Sequence, residues 1–175
     1  LLDVWRNFEP RHVYRSDFAG VVANSTRWLA SLFFGAIVRD GRVSLLDNRP
    51  LAALLARKLE FERIPDNIAA GALDALAITC SGYTSGQSVT FFEGAAHLGA
   101  WKRSQRVGIR TKIQVEHLMA SSAIPFLFPA HKLNREFFGD GSMRQIAPVS
   151  PALHLGADRV VVVGTARIRN DDPER

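Results

Sequence analysis

The chain has 175 residues, of which 47% are apolar and 22% are charged. These values exclude a disordered or fibrous chain, and the length fits one domain with a sizeable core. A single cysteine, Cys80, excludes an intramolecular disulfide framework. The formal charge is +5, but the arginines are scattered along the sequence, so we expect no nucleic-acid partner. Attraction to an anionic lipid surface remains open.

Two features bear on membranes and export. The sequence has no run of about 20 apolar residues, so we expect no membrane-spanning helix. The N-terminal residues lack the basic and apolar regions of a secretion signal, and there is no initiator Met. We therefore expect a cytoplasmic protein with transient contact to a membrane surface.

The first third of the sequence predicts helices. Residues 1–8 carry apolar side chains at helical spacing until Pro10. Residues 25–38 are largely apolar and predict a buried helix, with an amphipathic element near a lipid surface as the alternative. Asn48 is the expected N-cap of a helix with Pro50 in its first turn. Pro65 and Asp66 predict a second short helix over residues 68–72.

The middle of the sequence predicts a β-hairpin followed by a helix. Residues 73–81 form a largely apolar run that predicts a strand covered on both faces, and residues 87–93 predict a second strand. The glycine-containing segment 82–86 supplies the turn. Residues 113–122 place three apolar side chains on one helical face, and the helix is expected to end at residues 124–125.

The last part alternates loops with short elements. Residues 126–128 predict an apolar loop between two prolines, residues 133–138 a strand or hairpin edge, and residues 140–142 a tight turn. Residues 148–155 predict a helix closed by Gly156. Four consecutive valines within residues 159–164 predict a buried, parallel strand. This order of elements predicts an α/β or α+β domain with a covered sheet, without repeats or linkers.

Several kinds of site are excluded by motif. The five histidines never adopt a metal-binding spacing, and no cysteine set accompanies them, so we expect no metal and no cofactor. The glycine patterns of nucleotide-binding loops are missing. The nucleophile elbow G-x-S-x-G is also missing, since Ser85 in residues 82–86 stands one place too late. Ser121 and Ser122 lack flanking glycines and are expected to cap or pack.

One short segment suggests chemistry. Asp140 lies between Gly139 and Gly141 and is followed by Ser142. Glycine on both sides permits a sharp turn with positive φ and leaves the carboxylate open to approach. Such an aspartate can act as a general base for a hydroxyl nucleophile, but by itself the segment also fits an ordinary turn.

A wider pattern resembles the patatin-like phospholipases. It consists of Ala-Ser-Ser-Ala-Ile-Pro-Phe-Leu-Phe-Pro at 120–129, Phe-Gly-Asp-Gly-Ser at 138–142, a Pro…Leu-Gly-Ala-Asp-Arg segment ending at residue 159, and the valine run. That family shows this order and spacing. Weaker matches extend the resemblance upstream to about residue 45.

The resemblance implies a three-layer α/β fold with a mixed, mainly parallel central sheet, and a lipid esterase that uses a Ser–Asp dyad. Asp140 matches the base of the family's D-G-[GA] motif and Gly141 its first glycine, whereas Ser142 departs from the second. Neither the oxyanion loop nor the elbow serine is present. We therefore expect residues 1–175 to be the C-terminal portion of one patatin-like domain, with its sheet incomplete at the N-terminus, and to be inactive alone.

Further expectations depend on that resemblance. The substrate would be a lipid ester, and the aromatic residues Phe126 and Phe128 are candidates for lining an acyl pocket, although core packing also explains them. A non-catalytic patatin-like domain that binds lipid or protein is the main alternative. An unrelated α/β binding domain with a chance Asp-Gly turn is a third reading. The resemblance implies no particular head group, oligomeric state or protein partner.

Overall fold

The computed structural model describes residues 6, 9–15, 22, 25, 26, 44–144 and 149–164. The helices predicted at 1–8 and 25–38 lie almost wholly outside the described residues, as does segment 145–148. Ten main elements follow in chain order: α1 Arg49–Lys58, α2 Arg63–Ala69, β1 Ala75–Gly82, β2 Ser88–Gly94, β3 Trp101–Arg103, β4 Arg106–Arg110, α3 Val115–Ser121, β5 His131–Leu133, β6 Glu136–Asp140 and α4 Ser150–His154. Short 3-10 turns occur at Pro10–His12 and Gly141–Met143.

The six strands form one mixed sheet in the order β3-β4-β2-β1-β6-β5. The α/β class and the mixed sheet are as predicted. The expectation of a mainly parallel sheet is wrong for the described strands, because only β2 and β4 pair in parallel and the other four pairings are antiparallel. Three of those four join neighbours in sequence across short turns, and a short turn can only return the chain antiparallel.

The predicted hairpin is confirmed and forms the centre of the sheet. β1 and β2 pair over their full length, from Ala75 opposite Gly94 to Ser81 opposite Ser88. Gly86 in the connecting turn has φ 67°, a conformation that glycine adopts without steric cost. On its other side β1 meets β6 only at Cys80–Gly82. The edge of β1 from 75 to 79 therefore has no strand partner among the described residues.

Helices pack against both faces of the sheet. On one face, Cys80, Phe91 and Phe138 are buried with Ala120 of α3, and the rings of Phe91 and Phe138 meet edge to face at 5.3 Å. Successive residues of a strand point to opposite faces, so Phe92 lies on the other side. There it stacks on Trp101 at 5.3 Å, and His154 of α4 lies 4.9 Å from Trp101.

The cap of one helix and the bounds of another differ from the sequence prediction. α1 begins after Asn48 as expected, but the carboxylate of Asp47, not the Asn48 side chain, accepts the hydrogen bond from Arg49 N at 3.0 Å. The second helix, predicted over 68–72, spans Arg63–Ala69 instead. Gly71 then adopts φ 70°, and Ala72 N donates to Asn67 O at 3.0 Å, which closes the helix with a left-handed cap.

The prediction for the valine run is wrong. Residues 160–164 have no regular structure, and Val161 and Val163 are 89% and 93% exposed. A buried strand needs neighbours that pair its backbone groups, and no described strand lies beside this segment. Strands β3 and β4 were not predicted at all, because they are short and rich in charged residues.

Candidate functional site

Asp140 stands at the end of β6, opposite Cys80 of β1 and close to the centre of the sheet. Its backbone N–H donates to Ala123 O at 2.9 Å. Its two carboxylate oxygens accept hydrogen bonds from Ser142, one from the backbone N at 2.9 Å and one from Oγ at 2.8 Å. The predicted tight turn is present, and it holds the carboxylate in one orientation.

The two glycines flanking Asp140 serve close packing. We expected them to permit positive φ, but neither Gly139 nor Gly141 has a positive φ. A Cβ at Gly141 would overlap the carbonyl oxygen of Thr79, and a Cβ at Gly139 would overlap the Tyr83 hydroxyl. A larger side chain at Gly141 would push the Asp140 loop away from the backbone of β1, whereas one at Gly139 would displace the Tyr83 side chain.

Tyr83 is a neighbour of Asp140 that the sequence motif does not reveal. Its side chain packs over Gly139 from the turn after β1. Partial burial raises the pKa of the Tyr83 hydroxyl above its ordinary value, and the negative charge of Asp140 raises it further. The phenol is therefore protonated at neutral pH and can donate a hydrogen bond near the carboxylate.

A cavity of about 1080 Å³ opens beside Asp140. Its polar wall includes Asp140, Ser142 and Ser121, whose Oγ donates to Thr79 O at 2.7 Å. Most of the remaining wall is apolar: Ala75, Ala77, Ile78, Leu118, Pro151, Ala152, Leu155, Val162 and Val163. A large apolar cavity with a few convergent polar groups is the usual form of a small-molecule site.

A family model described as patatin-like phospholipase matches residues 2–153. The chain belongs to the patatin-like phospholipase family. The match includes Asp140 and the turn that follows it, and it extends upstream of residue 45, where the motif resemblance began. Searches of curated protein sequences and of solved structures returned no significant match. Lipid acyl hydrolysis is the activity generally associated with this family.

Two residues considered for an acyl pocket lie elsewhere in this patatin-like domain. Phe126 is 71% exposed, and Phe128 packs against Tyr14 with a ring separation of 6.3 Å. Neither lines the cavity beside Asp140. The apolar wall of the cavity comes instead from β1, α3, α4 and the valine segment, which are distant in sequence and share no recognisable motif.

The remaining nucleophile candidates have structural partners. Cys80 is fully buried, and burial raises the pKa of its thiol to about 12, so the thiolate is scarce at neutral pH. Ser85 Oγ accepts from Gln87 N at 3.2 Å, and Ser122 Oγ donates to Leu118 O at 2.9 Å. Within the described part of the chain, the hydroxyl that hydrogen-bonds Asp140 is that of Ser142.

The described residues contain no cluster of three or more His, Cys, Asp or Glu side chains suited to a metal ion. No helix among them combines the length and apolar character needed to cross a bilayer.

Proposed function

We propose that this patatin-like protein hydrolyses lipid esters with a Ser–Asp dyad in which Asp140 is the general base. The observation that carries the proposal is the position of the Asp140 carboxylate, held by Ser142 in the wall of an apolar cavity of about 1080 Å³. The apolar surface suits an acyl chain, and the proposal puts the ester beside the Asp140 carboxylate. Hydrolysis at a cytoplasmic membrane surface is part of the proposal.

In the proposed mechanism, Asp140 accepts the proton of the nucleophilic serine as its oxygen attacks the ester carbonyl. The tetrahedral intermediate collapses, the alcohol leaves with a proton, and an acyl-enzyme remains. Asp140 then activates a water molecule that releases the fatty acid and regenerates the serine. Ser142 fixes the carboxylate through two hydrogen bonds, so little reorientation accompanies proton transfer.

The nucleophile is proposed to come from a segment outside these 175 residues. The sequence contains no G-x-S-x-G elbow, and Ser85, Ser121 and Ser122 are not hydrogen-bonded to Asp140. Ser142 is bonded to Asp140 but lies two residues away on the same turn. We assign Ser142 to positioning the carboxylate.

The role of Asp140 is tested by the variant Asp140→Asn in a protein that includes the nucleophile. Asparagine keeps one acceptor for Ser142 N but cannot take a proton, so we expect kcat/KM for p-nitrophenyl butyrate to fall by about 10²–10⁴-fold. Asp66→Asn, an exposed carboxylate on α2, is the matched control and should retain wild-type activity. Equal activity of the two variants would refute the assignment.

The source of the nucleophile is tested by labelling with a fluorophosphonate, which modifies activated serines. Peptide mapping should place the label outside residues 1–175. A label on Ser142 would instead make Ser142 the nucleophile and exclude the split arrangement.

A non-catalytic lipid-binding domain is the second candidate function. It is favoured by the fact that both oxygens of Asp140 already accept hydrogen bonds from Ser142. This alternative predicts that no serine is labelled, that Asp140→Asn changes nothing, and that the protein still binds lipid vesicles.

A further inference from the structure

A second pocket, of about 570 Å³, carries positive charge. Its wall is formed by the β3–β4 turn, by the residues after the Asp140 turn, and by one side of α4. Three guanidinium groups stand around it, those of Arg103, Arg106 and Arg144, together with the imidazole of His154. None of the lining residues is acidic.

The three arginines have no carboxylate partner among the described residues. The ion pairs there involve other cations: Arg11, Arg49, Arg63 and Lys112. Arg103, Arg106 and Arg144 are exposed, and an arginine side chain stays protonated at all physiological pH values. The arginines look scattered in the sequence, but the fold gathers these three around one depression.

The pocket is built on anchored turns. Gln105 O, between Arg103 and Arg106, accepts a hydrogen bond from Ser88 N at 2.8 Å, which ties the β3–β4 turn to the start of β2. Arg144 lies over the turn between β1 and β2, since a Cβ at Gly86 would stand 3.9 Å from its Nη2. A guanidinium group is planar, and its N–H donors match the geometry of phosphate oxygens.

This basic pocket shares two walls with the apolar cavity. In the turn after β6, Asp140 and Ser142 face the cavity, whereas Arg144 lines the basic pocket. In α4, Ala152 lines the cavity, whereas His154 lines the basic pocket. The apolar cavity and the basic pocket are therefore neighbours across the turn after β6 and across α4.

We propose that Arg103, Arg106 and Arg144 bind the phosphate of a lipid head group, so that the ligand is an anionic phospholipid rather than a neutral lipid. Ser104 and Ser150 line the same pocket and supply hydroxyl groups for further hydrogen bonds to the phosphate oxygens. The identity of the ligand as a lipid rests on the proposed function, whereas binding of the anion does not.

The test compares two double variants that each remove two positive charges. Arg106→Ala/Arg144→Ala alters the pocket, and Arg57→Ala/Arg135→Ala removes two exposed arginines that do not line it. Both are made in Asp140→Asn protein, so that binding is measured without hydrolysis. The probes are dihexanoyl phosphatidic acid and inorganic phosphate in calorimetric titrations, and phosphatidylcholine vesicles with and without phosphatidic acid in flotation. Circular dichroism verifies the fold of each variant.

We expect the pocket variant to bind dihexanoyl phosphatidic acid about a hundredfold more weakly, roughly tenfold for each guanidinium, and the control to change by less than about threefold. The pocket variant should also lose its preference for phosphatidic acid vesicles. Equal weakening of both variants would show that only net charge matters and would overturn the site. If inorganic phosphate binds as tightly as the lipid, the anion site stands but its assignment to a head group is wrong. The hydrolase proposal is judged separately, by Asp140→Asn against Asp66→Asn.

Discussion

At the scale of single residues, Ser142 distinguishes this chain from the usual family motif, which has a second glycine or an alanine at this place. Its hydroxyl donates to Asp140 at 2.8 Å, while its backbone N–H holds the other carboxylate oxygen. Ser142→Ala removes only the first bond. We expect kcat/KM to fall by about ten- to a hundredfold, since such a bond to a charged group contributes about 1.5–3 kcal/mol.

Steady-state hydrolysis of p-nitrophenyl butyrate measures this effect. Ser85→Ala, which changes an exposed hydroxyl in the turn after β1, is the control. If both variants keep wild-type activity, the Ser142 hydroxyl does not position the base.

Gly141 allows the second prediction at this scale. A Cβ there would overlap the Thr79 carbonyl oxygen, which belongs to β1 and cannot rotate away. Gly141→Ala should lower the free energy of unfolding by about 1–3 kcal/mol, the usual cost of overpacking, and should displace Asp140. Gly99→Ala is the matched control, because a Cβ at Gly99 meets nothing within 4 Å. Urea denaturation compares the two, and equal midpoints would contradict the packing argument.

At the scale of elements, the predictions were correct where the sequence pattern was long and its parts agreed with one another. The β1–β2 hairpin was predictable because an apolar run, a glycine turn and a second strand agree with one another. α3 and the Asp140 turn were readable for the same reason. β3 and β4 were missed because Trp101–Arg103 and Arg106–Arg110 are short, and each contains two charged residues. β4 pairs in parallel with β2, and β3 pairs with β4, so both strands depend on a neighbour in the folded sheet and not on their own pattern.

The valine segment was predicted to be a strand and is not one. Its composition fits a buried strand, but composition cannot supply neighbours for its backbone, and among the described residues none pairs with it. The candidate functional site was likewise predictable only in part. Asp140 and its flanking residues were identifiable from a motif, whereas Tyr83, the cavity wall and the group of three arginines are assembled from segments that only the fold brings together.

At the scale of the whole molecule, His117 links stability to pH. It is 8% exposed, its ring meets Phe91 at 4.9 Å, and its Nδ1 accepts a hydrogen bond from Gln114 N at 3.1 Å. Burial lowers the pKa of His117 below its ordinary value, although the Glu116 carboxylate opposes the effect. The folded protein thus favours neutral imidazole.

Protonation of His117 costs more in the folded protein than in the unfolded chain. The unfolded chain takes up a proton at pH about 6.5, before the folded one does. The contribution of His117 to the free energy of unfolding is therefore fully present above pH about 6.5. It is lost as the pH falls from there through the folded-state pKa. Urea denaturation between pH about 7.5 and about 5 should show a smaller loss of stability for His117→Gln than for wild type. His97→Gln, at an exposed position, should behave as wild type.

The edge of β1 that faces β6 is paired only in part, and this has a consequence for experiments on the purified protein. Residues 75–79 present backbone donors and acceptors that no described strand satisfies. The exposed Val163 lines the same cavity as that edge, and the exposed Val161 is adjacent to Val162, which also lines it. Such a surface can recruit other extended chains, so we expect concentration-dependent assembly of the purified protein. Assembled protein sediments whether or not vesicles are present. Flotation, in which only lipid-bound protein rises, is for that reason the safer way to measure lipid binding by this molecule.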